Sequence, residues 1–526
     1  MTKRKVNIIG AGLAGLSASI HLAQQNVPSR LISLQPSERA QSVMAEGGIN
    51  AAINTMGEND EPLNHYNDTL KGGAFLADEN AVWSLTQNAP HIVEWLCSLG
   101  VPFNMKGNTL VLRNFGGQKK KRTAYSKSST GKILMSALID EARKYEAQGL
   151  IKRYPHHQLT EFIINDEVCE GVKITDLYTG NTGKLYGAVI VCTGGMNSLF
   201  PEMTTGTAVN TGDVTAQAFS QGVALANLEF IQYHPTTAAI PGKRMLISEA
   251  ARGEGGRLFI YKDNKPFYFM EEKYPELGNL MPRDVVSREM AALGEQVYLD
   301  MTGIDSEVWK SRLFDLQEEC IRLLGKDPQK EYIKVSPGIH YFMGGIDVDE
   351  QHRTNLSGLY AAGECACQYH GANRLGGNSM LGAIYGGSVA ANMAADYVKT
   401  VDYKDSEWTE NNSCNLLYDY AVNDEIAEIM KNALGIFRDK QTLEKAVSDL
   451  EAKAGAKMMT DVFANRYLLV KAMLLSALNR EESRGAHTRT DFPEKDDEHF
   501  RKTTVVKCSG FDITLSMRDI AERRAD

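Results

Sequence analysis

The first sustained apolar run is VNIIG, Val6 to Gly10, which has the length and closing glycine of a buried parallel strand. LSASIHLAQQ then reads as a helix, and SRLISL, beginning 14 residues after Gly15, as a second strand. Far downstream, GAVIVCTGG (Gly187–Gly195) and GLYAAGECAC (Gly358–Cys367) repeat the strand-to-glycine pattern. These two returns to one sheet are separated by about 170 residues, far more than an unstructured loop spans in a compact fold. An inserted domain of roughly His234 to Gly345 is therefore expected. After Tyr403 the period changes. LLYDYAVNDEIAEIMKNALGIFRD, LEKAVSDLEAKA and VFANRYLLVKAMLLSALNREES carry apolar residues at three- and four-residue spacing, which predicts a helical C-terminal domain. The acidic-basic DFPEKDDEHFRK and the strand-like KTTVVKCSGFDITLSM close the chain. The expected layout is an α/β, Rossmann-like domain over 1–233 and 346–405, an insert over 234–345, helices over 406–490 and a tail over 491–526.

The first turn of the β–α–β unit is GAGLAG, a G-x-G-x-x-G. Gly10 permits the tight turn, Gly12 lets the backbone approach a pyrophosphate, and Gly15 lets helix and strand pack closely. The helix N-terminus adds free N–H groups and partial positive charge for the phosphates. At the end of the second strand, where a ribose-binding acid usually stands, the chain has Ser33 or Gln35. That argues against a plain NAD dehydrogenase, because a hydroxyl grips the ribose diol less firmly than a carboxylate.

Composition narrows the class without deciding it. The 526 residues are 43% apolar and 23% charged with net charge −9, so nucleic acid is excluded as a general partner. The basic run KKKR, Lys119 to Arg122, reads as a solvated loop. No segment has the ~18 uninterrupted apolar residues of a membrane span. MTKRKVNIIG runs straight into a strand and leaves no room for a signal peptide, so a cytoplasmic location is expected. The eight cysteines are scattered without C-x-x-C pairs, which predicts no zinc or iron–sulfur ligation and no metal relay within the chain.

Four segments group polar residues as a core would not. They are LEFIQYHPTT with His234, ISEAARGEGG with Ser248, Glu249 and Arg252, and MPRDVVSREM with Arg283 and Asp284. The fourth joins SPGIHYFMGG, with His340, to YHGANRLGGNSM, with His370, Asn373, Arg374, Asn378 and Ser379. Singly, each has an ordinary structural reading: a histidine beside proline, a surface E-x-x-R pair, a helix-start charge, a turn. Together they place two histidines and three arginines on glycine- or proline-flanked loops, where site residues sit. That many cations suits a small dianion, since Arg binds carboxylates in bidentate fashion.

With these motifs in order, the chain resembles the flavoprotein subunit of the fumarate reductase and succinate dehydrogenase family, which also includes L-aspartate oxidase. The resemblance runs from about residue 5 to 505 through AEGGINAA, FGGQKKKRTAYSKSSTGK, NLEFIQYHPT, SEAARGEGG, PRDVVSREM, HYFMGG, GLYAAGE and HGANRLGGNS. It implies a Rossmann-like FAD-binding domain with an inserted α+β capping domain that traps a C4 dicarboxylate. FAD would lie along Gly10, Ala11, Gly12, Gly15, Ser33, Ala45, Glu46, Gly47, Gly48, Gly194, Gly195, Asp213, Glu364, Asn378 and Ser379. The small residues of AQSVMAEGGINAA (Ala40–Ala52) would let the isoalloxazine ring pass against the backbone. His234, Ser248, His340 and Arg374 would clamp the substrate carboxylates. Arg283 would donate the proton, recharged through Glu249 and Arg252.

Two positions depart from relatives. Membrane-bound respiratory members carry FAD covalently on a His where this chain has Gln41, so the resemblance implies FAD held without a covalent link. That absence lowers the flavin potential and favours fumarate reduction over succinate oxidation. Aspartate oxidases place a Glu for the substrate ammonium where RNFGGQ has Phe115; a Phe there favours a dicarboxylate without an amine. Three alternatives stay open: an L-aspartate oxidase, a flavoprotein subunit active only with an iron–sulfur partner that makes it peripheral on the inner face of a membrane, and another unsaturated acid as substrate.

Overall fold

The computed structural model describes residues 5–127, 129–410, 420–456 and 461–523. Strand β1 (Val6–Ile9), helix α1 (Leu13–Gln24) and strand β2 (Ser29–Ser33) form the opening unit that the apolar pattern predicts. β1 is buried along its whole length, as a strand covered on both faces must be. β2 also pairs with β3 (Ile151–Pro155), and β1 with β4 (Ala188–Val191), whose far side takes the segment Leu359–Ala361. All five strands are parallel, so the two distant strand-to-glycine junctions are neighbours in one sheet. Gly10 turns out of β1 at φ 111°, with the Cys192 carbonyl where a Cβ would go. Gly15 meets the carbonyl of Gly10 in the same way, so α1 starts directly over the sheet edge.

After β4 the chain leaves this sheet to build a second layer. β5 (Ile231–Ile240), β6 (Lys243–Leu246), β7 (Arg257–Lys262), β8 (Val297–Asp300) and β9 (Ile333–Phe342) join Lys265–Phe267 in an antiparallel sheet ordered β6–β5–β9–β8–β7–Lys265–Phe267. Within this insert, α2 (Glu249–Gly253), α3 (Phe269–Lys273) and α4 (Arg283–Leu293) lie between strands. The layer has its own core, with Ile247, Leu258, Val286, Leu299 and Trp309 buried together. It is thus a packed unit entered through β5 and left through β9.

Helix α5 (Asn378–Thr400) returns to the parallel sheet, and Leu381 and Ile384 pack in one core with Ile8, Leu16 and Leu31. α6 (Tyr420–Ala433), α7 (Lys440–Ala456) and α8 (Asp461–Asn479) follow. Leu416–Asp419 of the first predicted helix, like Cys414, lie outside the described residues. Leu443, Leu450, Leu469 and Met473 share a core with Phe200 and Phe219, so the helices pack onto the first domain. At the chain's end, β10 (Lys502–Ser509) and β11 (Asp512–Asp519) form a hairpin, and β10 pairs with Leu225–Ala226 of the main body.

The basic run KKKR is solvated at Lys119 and Lys121, but its last residue is not. Arg122 is fully buried, with Nε and Nη2 donating to Asp60 at 3.1 and 3.0 Å and Asp68 2.9 Å from Nη2. A guanidinium offers five donors in a fork, so two carboxylates can draw it inside where a lysine head would stay in water. Among the described residues, no helix is long and apolar enough to cross a membrane, the cysteines are free, and no acidic, His or Cys group is arranged for a metal.

Arg480 pins the C-terminal hairpin. Its Nε donates to Glu229 at 2.6 Å, Nη1 to Glu482 at 2.9 Å and the Phe500 carbonyl at 2.7 Å, and Nη2 to the Lys502 carbonyl and Thr504 hydroxyl at 2.8 and 2.9 Å. Removing Arg480 leaves buried Glu229 without its cationic partner, whereas Glu482 keeps Arg484. Arg480→Leu should therefore destabilise the protein by about 3–5 kcal/mol, read from the urea midpoint at constant slope.

Candidate active site

A cavity of about 510 Å³ runs from the first glycine turn to the face of the inserted domain. One limb is bounded by Gly10, Ala11, Gly12, Ser33, Gly194, Asp213 and Ser379, the other by Phe115, His234, Ser248, Glu249, Arg283, His340 and Arg374. Ala45 to Gly48, Glu364 and Gln41 also line it. The first limb suits a dinucleotide: a glycine turn and a helix N-terminus open onto the cavity. A Cβ at Gly12 would stand 3.0 Å from the Ser42 hydroxyl, and one at Gly47 3.4 Å from the Phe115 ring, so both positions favour the bare backbone along the cavity.

The second limb is a cluster of buried charge. Glu249, at the start of α2, accepts from Arg283 Nε and Nη2 on one oxygen, at 2.8 and 2.7 Å. Its other oxygen accepts the Gly116 N–H at 2.7 Å and lies 3.9 Å from Arg252 Nη2. Gln232 Oε1 accepts from both Arg283 Nη1, at 3.2 Å, and Arg374 Nη2, at 3.0 Å. His234 and His340 meet edge to face with ring centroids 5.1 Å apart. The Thr205 hydroxyl holds His340 Nδ1 at 2.8 Å, and the Thr236 carbonyl stands 3.2 Å from His234 Nδ1. Ser248 caps α2, accepting from Ala250 N at 3.4 Å.

Comparison with known proteins decides which chemistry this arrangement belongs to. Residues 5–380 match the FAD binding domain family, and residues 459–524 match the fumarate reductase flavoprotein C-terminal family. The chain is 38% identical to the succinate dehydrogenase flavoprotein subunit of Bacillus subtilis, covering 96% of this chain and 94% of that one. It is 32% identical to the 8-methylmenaquinol:fumarate reductase flavoprotein subunit of Wolinella succinogenes, over 98% and 90%. The solved E. coli quinol fumarate reductase chain superposes with a TM-score of 0.88 at 28% identity, covering 100% of this chain and 98% of that one. The chain belongs to the succinate dehydrogenase and fumarate reductase flavoprotein family. It is an FAD-dependent oxidoreductase.

In this flavoprotein most of the residues given a cofactor, clamp or proton-transfer role from sequence converge on the cavity, and four of them do not line it; Asp284, His370 and Asn373 also lie off it. Gly15 serves helix–sheet packing, as its close approach to Gly10 shows. Gly195 makes room for Glu364, whose carboxylate occupies the space of a Cβ there. Asn378 turns away from the cavity: its side-chain oxygen accepts from Asn50 at 2.8 Å, and its Nδ2 donates to Thr69 at 2.9 Å. Arg252 lies behind Glu249, fully buried, donating Nη1 to the Asn279 carbonyl. The E-x-x-R pair is therefore no surface salt bridge. Asp213 reaches the cavity with its carboxylate already paired to Arg466 at 2.7 and 3.0 Å. Gln41 likewise is engaged, accepting the Thr207 N–H at 2.7 Å.

Sequence reading missed Gln232, Gly116 and Arg113. Gln232 was visible as the one amide in the apolar run FIQY. Arg113 donates Nη2 to the carbonyls of Glu46 and Gly47 and stacks 4.2 Å over Tyr125, holding the EGG segment in place. Nothing in RNFGGQ foretold that contact, which spans 66 residues.

Charge in the site is one-sided. Burial and then the Arg283 charge push the imidazoles of His234 and His340 well below their ordinary value, so both are neutral. Burial brings Arg374 down to about 9 and Arg252 to about 10. Burial alone would push the Glu249 carboxyl up, but Arg283 and Arg252 outweigh it and hold it low. Burial raises Glu364 to about 7. It raises Glu46 to about 8, with Glu319 adding to the shift.

Glu46 gives a stability test. Its folded value of about 8 lies above the ordinary 4.5, so the fold prefers the protonated acid. Below pH 4.5 both states are protonated and no penalty applies; between 4.5 and about 8 the penalty grows, then levels off. Glu46→Gln should match the parent in thermal unfolding at low pH and exceed it progressively up to pH about 8.

Proposed function

We propose that the chain interconverts fumarate and succinate, working as a fumarate reductase with FAD bound non-covalently, and that it exchanges electrons with an iron–sulfur partner subunit. The observation that carries this reading is the shared acceptor Gln232, which holds two guanidiniums side by side over the cavity. Arg252, Arg283 and Arg374 against Glu249 leave two positive charges, and the second limb is closed by two neutral histidines. A C4 dicarboxylate carries the matching two negative charges. Arg374, His234, His340 and Ser248 would meet its carboxylates.

FAD bound along the first limb would, when reduced, supply hydride chemistry. The remaining task is to stabilise charge building next to a carboxylate and to deliver one proton to the neighbouring carbon. Arg374 and Arg283 supply fixed positive charge without reorganisation. Arg283 is aimed by its two bonds to Glu249, and Glu249 in turn touches Arg252, so a proton lost from Arg283 is restored along carboxylate and guanidinium. Burial of Glu249, Arg252 and Arg283 keeps bulk water from competing. His234 Nδ1 points a proton at the Thr236 carbonyl, so a bound carboxylate would bring a second proton onto the ring.

Phe115 favours this reading over an L-aspartate oxidase. It is 5% exposed, lines the cavity and offers no carboxylate for an α-ammonium. Gln41 supports non-covalent FAD, since an amide has no ring nitrogen to form the link. The relatives are named as flavoprotein subunits, which supports an electron carrier on a separate subunit.

Anaerobic titration tests the substrate. After dithionite reduction and removal of the excess, fumarate should restore the oxidised flavin band with formation of succinate. No return, with bleaching of the oxidised enzyme by L-aspartate instead, would replace this reading with the oxidase. Acid precipitation tests the linkage: the yellow colour should stay in the supernatant, and a yellow pellet would refute non-covalent binding.

A further inference from the structure

Protons returning to Arg283 must start from solvent, and neither Glu249 nor Arg252 reaches it: their side chains are 2% and 0% exposed. One line of polar groups leads outward from Arg252. Its Nη1 donates to the carbonyl of Asn279, in the short turn Gly278–Leu280 just before Arg283. Asn279 Nδ2 lies 3.4 Å from Glu271 Oε1 on α3. The same Glu271 oxygen faces Arg257 Nε on β7 at 3.4 Å, and the Glu271 side chain is 30% exposed.

Along this line four buried polar atoms have no hydrogen-bond partner among the described residues. They are Arg252 Nε and Nη2, Asn279 Oδ1 and Glu271 Oε2. Donors stand at the inner end and acceptors at the outer. Buried groups of this kind are normally satisfied, and ordered water is the usual partner where protein supplies none. A partly exposed carboxylate with one buried oxygen beside such a run can take a proton from solvent and release it inward.

We infer that Glu271 is the solvent-side entry of the proton path, passing protons through bound water to Arg252 and so to Glu249 and Arg283. Glu271 touches neither substrate nor flavin; it acts through Arg252. The inference rests on the fumarate reading above. Per turnover the substrate gains one hydride from the reduced flavin and one proton from Arg283. Arg283 is recharged through Glu249 by a proton from Arg252. Arg252 regains one from Glu271, and Glu271 takes its replacement from bulk water, so one solvent proton enters for each hydride consumed.

A purely anchoring Glu271 would hold the turn before Arg283 and carry no proton, and the test separates the two. In the FAD-loaded enzyme, Glu271→Gln keeps the side chain's shape and its acceptor for Arg257. It should leave FAD content and the spectral shift on binding malonate unchanged. Fumarate turnover with reduced viologen should fall about tenfold at unchanged KM, with a larger solvent deuterium isotope effect. Glu271→Ala should recover turnover on addition of formate, a small diffusible acid. Parent-like turnover in Glu271→Gln would overturn the inference. So would loss accompanied by weak malonate binding that formate does not restore. A parent enzyme that does not react with fumarate would overturn the fumarate reading and this one together, whereas an active parent with an unaffected Glu271→Gln removes the proton entry alone.

Discussion

The substrate end of this molecule hangs on one buried carboxylate. Transferring Glu249 and its guanidinium partners out of water costs several kcal/mol per ion, and only good geometry offsets that. The geometry is present: a two-pronged contact from Arg283, a main-chain N–H from Gly116 and the charge of Arg252. Glu249, Arg252 and Arg283 belong to the inserted domain, whereas Gly116 and Arg374 come from the FAD-binding body. Closing the charge cluster and seating one domain on the other are therefore the same event. A site built in this way exists only in the assembled fold.

The same one-sidedness explains the neighbouring titrations. Burial first, and then the nearby Arg283 charge, disfavour a second proton on His234 and His340, and both stay neutral. At Glu46 and Glu364 burial outweighs the nearby Arg113 and Arg374 charges and pushes both towards the neutral acid. Negative charge on Glu46 and Glu364 is thus disfavoured, and the Asp213 carboxylate at the cavity is matched by Arg466. Preorganised positive charge in a dry cavity is where transition-state stabilisation is largest per contact.

Distant parts of the chain support the cavity through further buried ion pairs. Asp213, at the cavity edge, is held by Arg466 of α8, so the helical domain reaches back to the cofactor limb. Arg480 ties Glu229, in the segment leading to β5, to the closing hairpin. Each pair joins residues more than two hundred positions apart, and each is shielded from screening by burial.

Much was legible in sequence because it rests on local chemistry. Continuous apolar runs closed by glycine marked β1 and the two sheet returns, and apolar residues at three- and four-residue spacing marked the C-terminal helices, since burial on a face repeats with the backbone geometry. GAGLAG marked the dinucleotide turn because only glycine fits there, and glycine flanks marked His234, Glu249, Arg283, His340 and Arg374. Side-chain direction was not legible. Asn378 shares its segment with Ser379, yet faces Asn50 and Thr69 rather than the cavity. Arg122 looked like a surface lysine-run member until Asp60 and Asp68, some sixty residues earlier, drew it inside. The sequence by itself determined the elements, the cofactor turn and the set of charged residues, because backbone sterics and apolar period are properties of neighbours in the chain. Tertiary structure alone decided which guanidinium meets which carboxylate, because that depends on contacts closed between segments tens to hundreds of residues apart.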